Sequence, residues 1–138
     1  MSGHNIVIYN LEDGSQNFIP GSNNADEINF ITLSLSGRYL AYCEKSIDAP
    51  AQVTIYDISD IVHGKKRKTL PELDQETLGI ECKEFISCAF SPTFEKAHLV
   101  TLSGEGDWCV ILWQWEQMKM LAKFDLGIAE PEVLPLLF

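Results

Sequence analysis

The sequence predicts an all-β chain: short antiparallel strands forming one hairpin and two four-stranded sheets, stacked face to face. Three observations predict it. First, Asn5 to Leu11, Gln52 to Ile58 and Trp108 to Trp115 read as copies of one strand, ending in Ile8-Tyr9-Asn10, Ile55-Tyr56-Asp57 and Leu112-Trp113-Gln114. Each ending is an aliphatic residue, a large aromatic and a polar or acidic residue, and copies at intervals of roughly 47 and 57 residues mark a repeat architecture. Second, apolar runs too short for helices are punctuated by Gly, Pro, Ser, Asn and Asp, and helical periodicity is weak throughout. Third, both alternating faces are apolar in Val53 to Ile58 and in Cys109 to Trp113, so these strands should be covered on both sides.

The elements follow in order. Asn5 to Leu11 alternates around β-branched and aromatic residues, Glu12-Asp13-Gly14-Ser15 turns, and Asn17-Phe18-Ile19 returns before Pro20-Gly21, giving a hairpin. After the polar loop Ser22 to Glu27, Ile28 to Leu35 and Arg38 to Glu44 flank a Ser36-Gly37 turn. Ser46 to Ala51 is a loop, Gln52 to Ile58 the third strand, and Arg67 to Leu70 a short charged fourth. The order then repeats: Phe85 to Phe90, the turn Ser91-Pro92-Thr93, Ala97 to Leu102, the turn Gly104 to Asp107, Trp108 to Trp115, and Lys119 to Phe124. Ile31 aligns with Ile86, Ser36-Gly37 with Ser91-Pro92, and Leu40-Ala41 with Leu99-Val100. Trp115 to Lys123 has a composition that suits a short helix, but the repeat favours a turn and a strand. Gly64 to Glu84, charged and mostly loop, accounts for the longer spacing.

Bulk properties narrow the function classes. The 138 residues suffice for one domain and give a formal net charge of −10, which repels phosphate backbones and anionic lipid. Nucleic-acid and membrane partners are therefore not expected. No apolar run approaches the roughly 20 residues of a membrane span, and the polar start Met1 to Asn5 lacks a leader pattern. Neither a membrane-spanning nor a secreted protein is expected. Cys43, Cys82, Cys88 and Cys109 form no C-x-x-C pair, so free thiols in a reducing, cytoplasmic setting are expected.

Four-stranded sheets packed between neighbours on both faces are the blades of a β-propeller. The residues above resemble WD-repeat propellers, whose third strand in each blade ends in an aromatic and an acid. Tyr9-Asn10, Tyr56-Asp57 and Trp113-Gln114 occupy that place, with only Asp57 keeping the acid and no Gly-His pair ahead of either whole blade. That departure implies a weakened polar tetrad and blades held by apolar packing. The ordered set Phe18-Ile19-Pro20-Gly21, Ser36 to Ala41, Ile55 to Ile58, Lys66-Arg67-Lys68 and Phe85 to Pro92 is similar, from about Gly3 to about Leu126, to the amino-terminal propeller of the cilia- and flagella-associated protein fifty-seven family. The resemblance implies a non-enzymatic scaffold of the motile-cilium axoneme that helps assemble or regulate inner dynein arms, with axonemal proteins, inner-arm dynein and doublet-microtubule complexes as partners. It implies no cofactor.

Candidate site residues are few. Lys65, Lys66, Arg67 and Lys68 form the sharpest charge cluster, read first as a solvated outer strand guarding a sheet edge, next as a contact for an acidic partner, and last as a nuclear-import or nucleic-acid signal. Trp108 and Trp115, at strand ends, are candidates for facing a partner, while Trp113 is assigned to the core. His4, His63 and His98 lack metal-ligand spacing, and Cys82, among Glu81, Lys83 and Glu84, gains little as a nucleophile. Gly104-Glu105-Gly106-Asp107 carries two acids and joins two strands, so it is a hairpin turn rather than a phosphate cradle.

The expected organisation is a partial propeller over 1–126 with a tail over 127–138, in all about two and a half blades where propellers close with four to eight. The first and last sheets would then each leave an apolar face open, so the chain is expected to be a fragment, a truncated product, or one piece of an assembly in which other chains or copies complete the ring. The expected function is a ciliary scaffold, the alternative a WD-repeat adaptor outside cilia. A propeller hydrolase is the third class, for which no residue can be nominated.

Overall fold

The computed structural model describes residues 5–21, 27–47, 50–59, 65–71, 79, 82–104 and 108–126, with 65–67 described by backbone alone. Within them the chain is antiparallel sheet and one 3-10 turn. A hairpin pairs β1 (Asn5–Tyr9) with β2 (Gln16–Pro20). A first sheet follows in the order β3 (Glu27–Leu33), β4 (Tyr39–Lys45), β5 (Gln52–Asp57), β6 (Lys65–Leu70). The second sheet repeats that meander as β7 (Phe85–Phe90), β8 (His98–Ser103), β9 (Cys109–Gln114), β10 (Lys119–Asp125). The all-β expectation and its strand order therefore hold. The basic strand begins at Lys65 rather than Arg67. The expectations for the tail 127–138, for His4 and His63, and for the Glu105 to Asp107 part of the turn lie outside the described residues.

The polar residue of the repeated strand has a local cause. Asn10 Oδ1 accepts the Glu12 N–H at 2.9 Å, and Asp57 Oδ1 accepts the Ser59 N–H at 3.0 Å. Both are Asx turns, in which a short side-chain acceptor folds the backbone out of the strand two residues on. Gln114, one methylene longer, makes no such cap, and the chain leaves β9 by the 3-10 turn Trp115–Gln117 instead. The helical composition of that segment is realised as this single turn, closed by Met118 at φ 53° in the left-handed region.

The two sheets also repeat in their irregularities. A bulge falls between Ile28 and Phe30 on β3 and between Phe85 and Ser87 on β7, leaving Asn29 and Ile86 as the extra residues. Ile86 therefore matches Asn29, and Ile31 matches Cys88, two residues from the alignment expected. The offset arises because the alignment is set by each strand's pairing with its neighbour, which the apolar pattern of the strand alone does not fix.

Pairing fixes which side chains share a face. On β4, Tyr39, Ala41 and Cys43 point towards the second sheet and join Val53, Ile55 and Leu70 against Cys88, Phe90, Leu99, Ile111 and Trp113 in one buried cluster. Leu40 and Tyr42, on the other face, meet Ile6 and Ile19 of the hairpin, with Ile8, Ile28, Tyr56 and Ile58 at the margins. Val53, Ile55, Leu70, Leu99 and Ile111 are fully buried, and each such side chain contributes about 1.5–3 kcal/mol of transfer free energy. The inner strands β3 and β4 both lie against β7, and the Asn29 Nδ2 in the β3 bulge donates to the Phe85 carbonyl at 2.7 Å.

Inside the second sheet, β8 and β9 are also tied by buried side-chain hydrogen bonds: Ser103 Oγ accepts the Cys109 N–H at 2.9 Å. Trp113 Nε1 donates to Thr101 Oγ1 at 2.9 Å with both side chains fully buried. Apolar packing thus dominates the seams, and this hydrogen bond fixes the indole within its sheet.

Candidate functional site

The stacking has a direction. Trp113 points from the second sheet into the seam with the first, and Tyr56 points from the first sheet into the seam with the hairpin. Tyr9, the matching aromatic of the hairpin, points to the side away from the first sheet and is 60% exposed. Val7 and Phe18, opposite each other in the β1–β2 register, share that outward face and are exposed too.

The inner strand of the first sheet extends this surface. By the register, Ile31 and Leu33 occupy the places that Cys88 and Phe90 hold in the second sheet. Cys88 and Phe90, covered by the first sheet, are 2% and 5% exposed, while Ile31 and Leu33 are 48% and 56% exposed. The hairpin supplies two strands where the first sheet offers four, so among the described residues nothing covers the half of that face beside β3. At the opposite end, Val100, Val110, Leu112 and Ala122 on the outer face of the second sheet are half-buried and Phe124 is exposed. Two apolar faces, one at each end of the stack, are the principal candidate interaction surfaces.

The residues singled out from sequence fall elsewhere. Lys65, Lys66, Arg67 and Lys68 lie on β6, at the edge of the first sheet, where Lys65 pairs with Asp57 and Lys66 with Tyr56. Lys68 is half-buried, and the side chains of the other three lie outside the description. Trp108 is half-buried at the entry to β9, at φ 43°, its N–H donating to the Gly104 carbonyl at 3.1 Å. Trp115 corrects the expectation that it faces a partner: it is fully buried, edge-on to Tyr39 at 5.1 Å and to Phe90 at 6.2 Å, with Nε1 donating to the Glu95 carbonyl at 2.8 Å. The 3-10 turn lies beside β6 and sets the indole against Tyr39 and Phe90, so the residue closes this end of the seam.

A polar rim runs over the same seam, and sequence reasoning missed its second half. Arg38 Nη2 donates to Asp57 Oδ2 at 3.2 Å and its guanidinium lies 5.1 Å over the Tyr39 ring. Ser59 Oγ, at 2.7 Å, and the Ser59 N–H hold the Asp57 carboxyl down to about 2, with Arg38 adding a smaller pull. Across the seam, Ser36 donates to Glu95 through both its N–H and its hydroxyl, and the hydroxyl bond is the chief cause that lowers the Glu95 carboxyl. Glu95 lies 59 residues from Ser36 along the chain, beyond the reach of any local pattern.

A shallow groove of about 330 Å³ opens beside the seam, lined by Lys45, Ser46, Ile47, Pro50, Cys82, Lys83 and Glu84. Lys45 Nζ stands 3.5 Å from Glu84 Oε2 within it. Cys82, read from sequence as a loop thiol, is in a loop but buried, donating to the Glu84 carbonyl at 2.9 Å.

No family model matches the chain. Two curated relatives do. Over 121 residues, 88% of this chain, it is 36% identical to the cilia- and flagella-associated protein 57 of Mus musculus, and over 132 residues, 91% of the chain, 35% identical to the cilia- and flagella-associated protein 57 C of Tetrahymena thermophila. The chain spans only 9% and 10% of the length of these relatives. The resemblance is thus to one short region of long, cilium- and flagellum-associated proteins.

Proposed function

We propose that this chain is an arc of a WD-repeat β-propeller, about two and a half blades, acting as a non-enzymatic scaffold or adaptor in the motile-cilium axoneme. Its two four-stranded meanders are whole blades and its hairpin is the outer half of a third. The contrast between Ile31 with Leu33 and their buried counterparts Cys88 with Phe90 carries this reading. Equivalent positions in a repeat should be equally buried, and the difference measures two inner strands not supplied by the hairpin. The outward face of the second sheet, with Leu112 where Ile55 lies in the first, would receive the next blade in the same sense.

The ciliary setting rests on the identity with relatives named for cilia and flagella, spread over nearly all of the chain. Within that setting the proposed partners are axonemal proteins, including inner-arm dynein and doublet-microtubule complexes. The basic strand Lys65 to Lys68 is the proposed contact for an acidic partner.

Expression of the tagged protein in multiciliated cells, followed by fractionation of demembranated axonemes, tests the reading. Recovery with the axoneme, and loss of inner-arm dynein on depletion, is the expected result. Exclusion from axonemes would remove the ciliary assignment and leave the adaptor outside cilia in its place.

A further inference from the structure

Cys43, Cys82, Cys88 and Cys109 are all reduced, and all enter the cluster that fills the seam between the two sheets. Two of them face each other. Cys43 on β4 and Cys88 on β7 place their sulfurs 3.7 Å apart, bridging the sheets across 45 residues of chain. Cys43 is fully buried and Cys88 is 2% exposed. Among the described residues no three His, Cys, Asp or Glu side chains converge as metal ligands, so the pair lacks the third and fourth donors that zinc takes. Oxidative coupling is the chemistry that two opposed thiols offer by themselves.

We propose that Cys43 and Cys88 are a redox-convertible cross-link, a modification site at which a small peroxide joins the first sheet to the second. The Cys43 or Cys88 thiolate attacks the peroxide, the O–O bond breaks, and a sulfenic acid forms as hydroxide leaves and takes up a proton as water. The second thiolate then displaces the sulfenic oxygen as a second water, forming the S–S bond. In balance, two thiols and hydrogen peroxide give one disulfide and two waters: the sulfurs lose two electrons and the peroxide gains them. The sulfurs must close from 3.7 Å to about 2.05 Å for the bond to form.

The seam sets the rate. The hydrogen bond to Cys88 pushes the Cys43 thiol up, followed by burial and by the neighbouring sulfurs of Cys88 and Cys82. Thiolate is therefore scarce while the seam is shut, so attack on the peroxide waits on opening of the seam and S–S bond formation on its closing again. Cys82, at the groove wall, is the thiol a peroxide meets first from solvent, so its capture is the competing reaction.

The test treats the 138-residue chain with dilute hydrogen peroxide, blocks free thiols with iodoacetamide and maps digests by mass spectrometry. A peptide pair joining Cys43 to Cys88 within one molecule is expected as the main cross-link, together with a higher urea midpoint that dithiothreitol reverses. The doubly substituted Cys82→Ser, Cys109→Ser chain should form the same cross-link, and the further change Cys88→Ala should abolish it. Dominant pairing through Cys82 or Cys109, links only between molecules, or a lower urea midpoint for the linked form would each overturn the proposal. The mapping on the unsubstituted chain stands even where a variant fails to fold.

Discussion

Phe90 and Leu33 hold the same place in two successive sheets, and truncating each to Ala reads the completeness of the stack directly. Phe90 is 5% exposed and lies between Tyr39, 6.1 Å away, and Trp115. Removing a buried phenyl costs about 3–5 kcal/mol, since the lost transfer energy is joined by the cavity left behind. Leu33 is 56% exposed, so less than half of its side chain has left water and no closed cavity follows its removal. A buried Leu→Ala change costs about 2–5 kcal/mol, and scaling by the covered fraction without the cavity gives about 1 kcal/mol for Leu33→Ala. Urea unfolding followed by tryptophan fluorescence measures both, run at two protein concentrations tenfold apart so that association is visible. The expected result is a loss for Phe90→Ala at least twice that for Leu33→Ala, with an unchanged m value. Equal losses would refute the claim that the Leu33 face lacks its cover. A longer form that supplies the inner strands should raise the Leu33→Ala loss towards that of Phe90→Ala.

Other outcomes follow from the same geometry. Asn10→Ala and Asp57→Ala should each cost about 1 kcal/mol by removing an Asx turn, whereas Gln114→Ala, which removes no cap, should stay within about 0.5 kcal/mol in the same urea assay. The Asp57 carboxyl, held to about 2 from an ordinary 3.8, binds its proton less tightly folded than unfolded. Its contribution is therefore complete above about pH 4 and is lost as the pH falls towards 2; screening at this open rim keeps it below about 1 kcal/mol, and Asp57→Asn should flatten that part of the acid limb in a pH series of urea midpoints. Light scattering should show the chain self-associating through its two apolar faces at micromolar concentration, and replacing Tyr9 and Phe18 with Ser should reduce the apparent mass without lowering the urea midpoint.

Strand order was legible in the sequence because the signals are local. Alternation about Val53 and Ile55, the Gly37 turn and the Tyr56-Asp57 ending each act within a few residues. The bulges at Asn29 and Ile86 were not legible, since an extra residue in one strand is defined only against its partner. Trp115 misled for a related reason. A strand-end tryptophan is exposed or buried according to how the next turn curls, and that depends on Met118 accepting a left-handed conformation. The Ser36–Glu95 link and the Cys43–Cys88 pair join residues 59 and 45 apart along the chain, contacts that exist only once two sheets are stacked. The open surface was foreseen in kind, from the number of strands, but its residues required the register.

The one-way orientation of Tyr9, Tyr56 and Trp113 gives the stack a grammar. Trp113 and Tyr56 turn towards the preceding element while Leu112 and Ile55 turn away from it, so a further sheet packed on the Leu112 end in the same sense would meet it with its own aromatic. Sequence order is matched by spatial order along the stack, from hairpin to first sheet to second sheet.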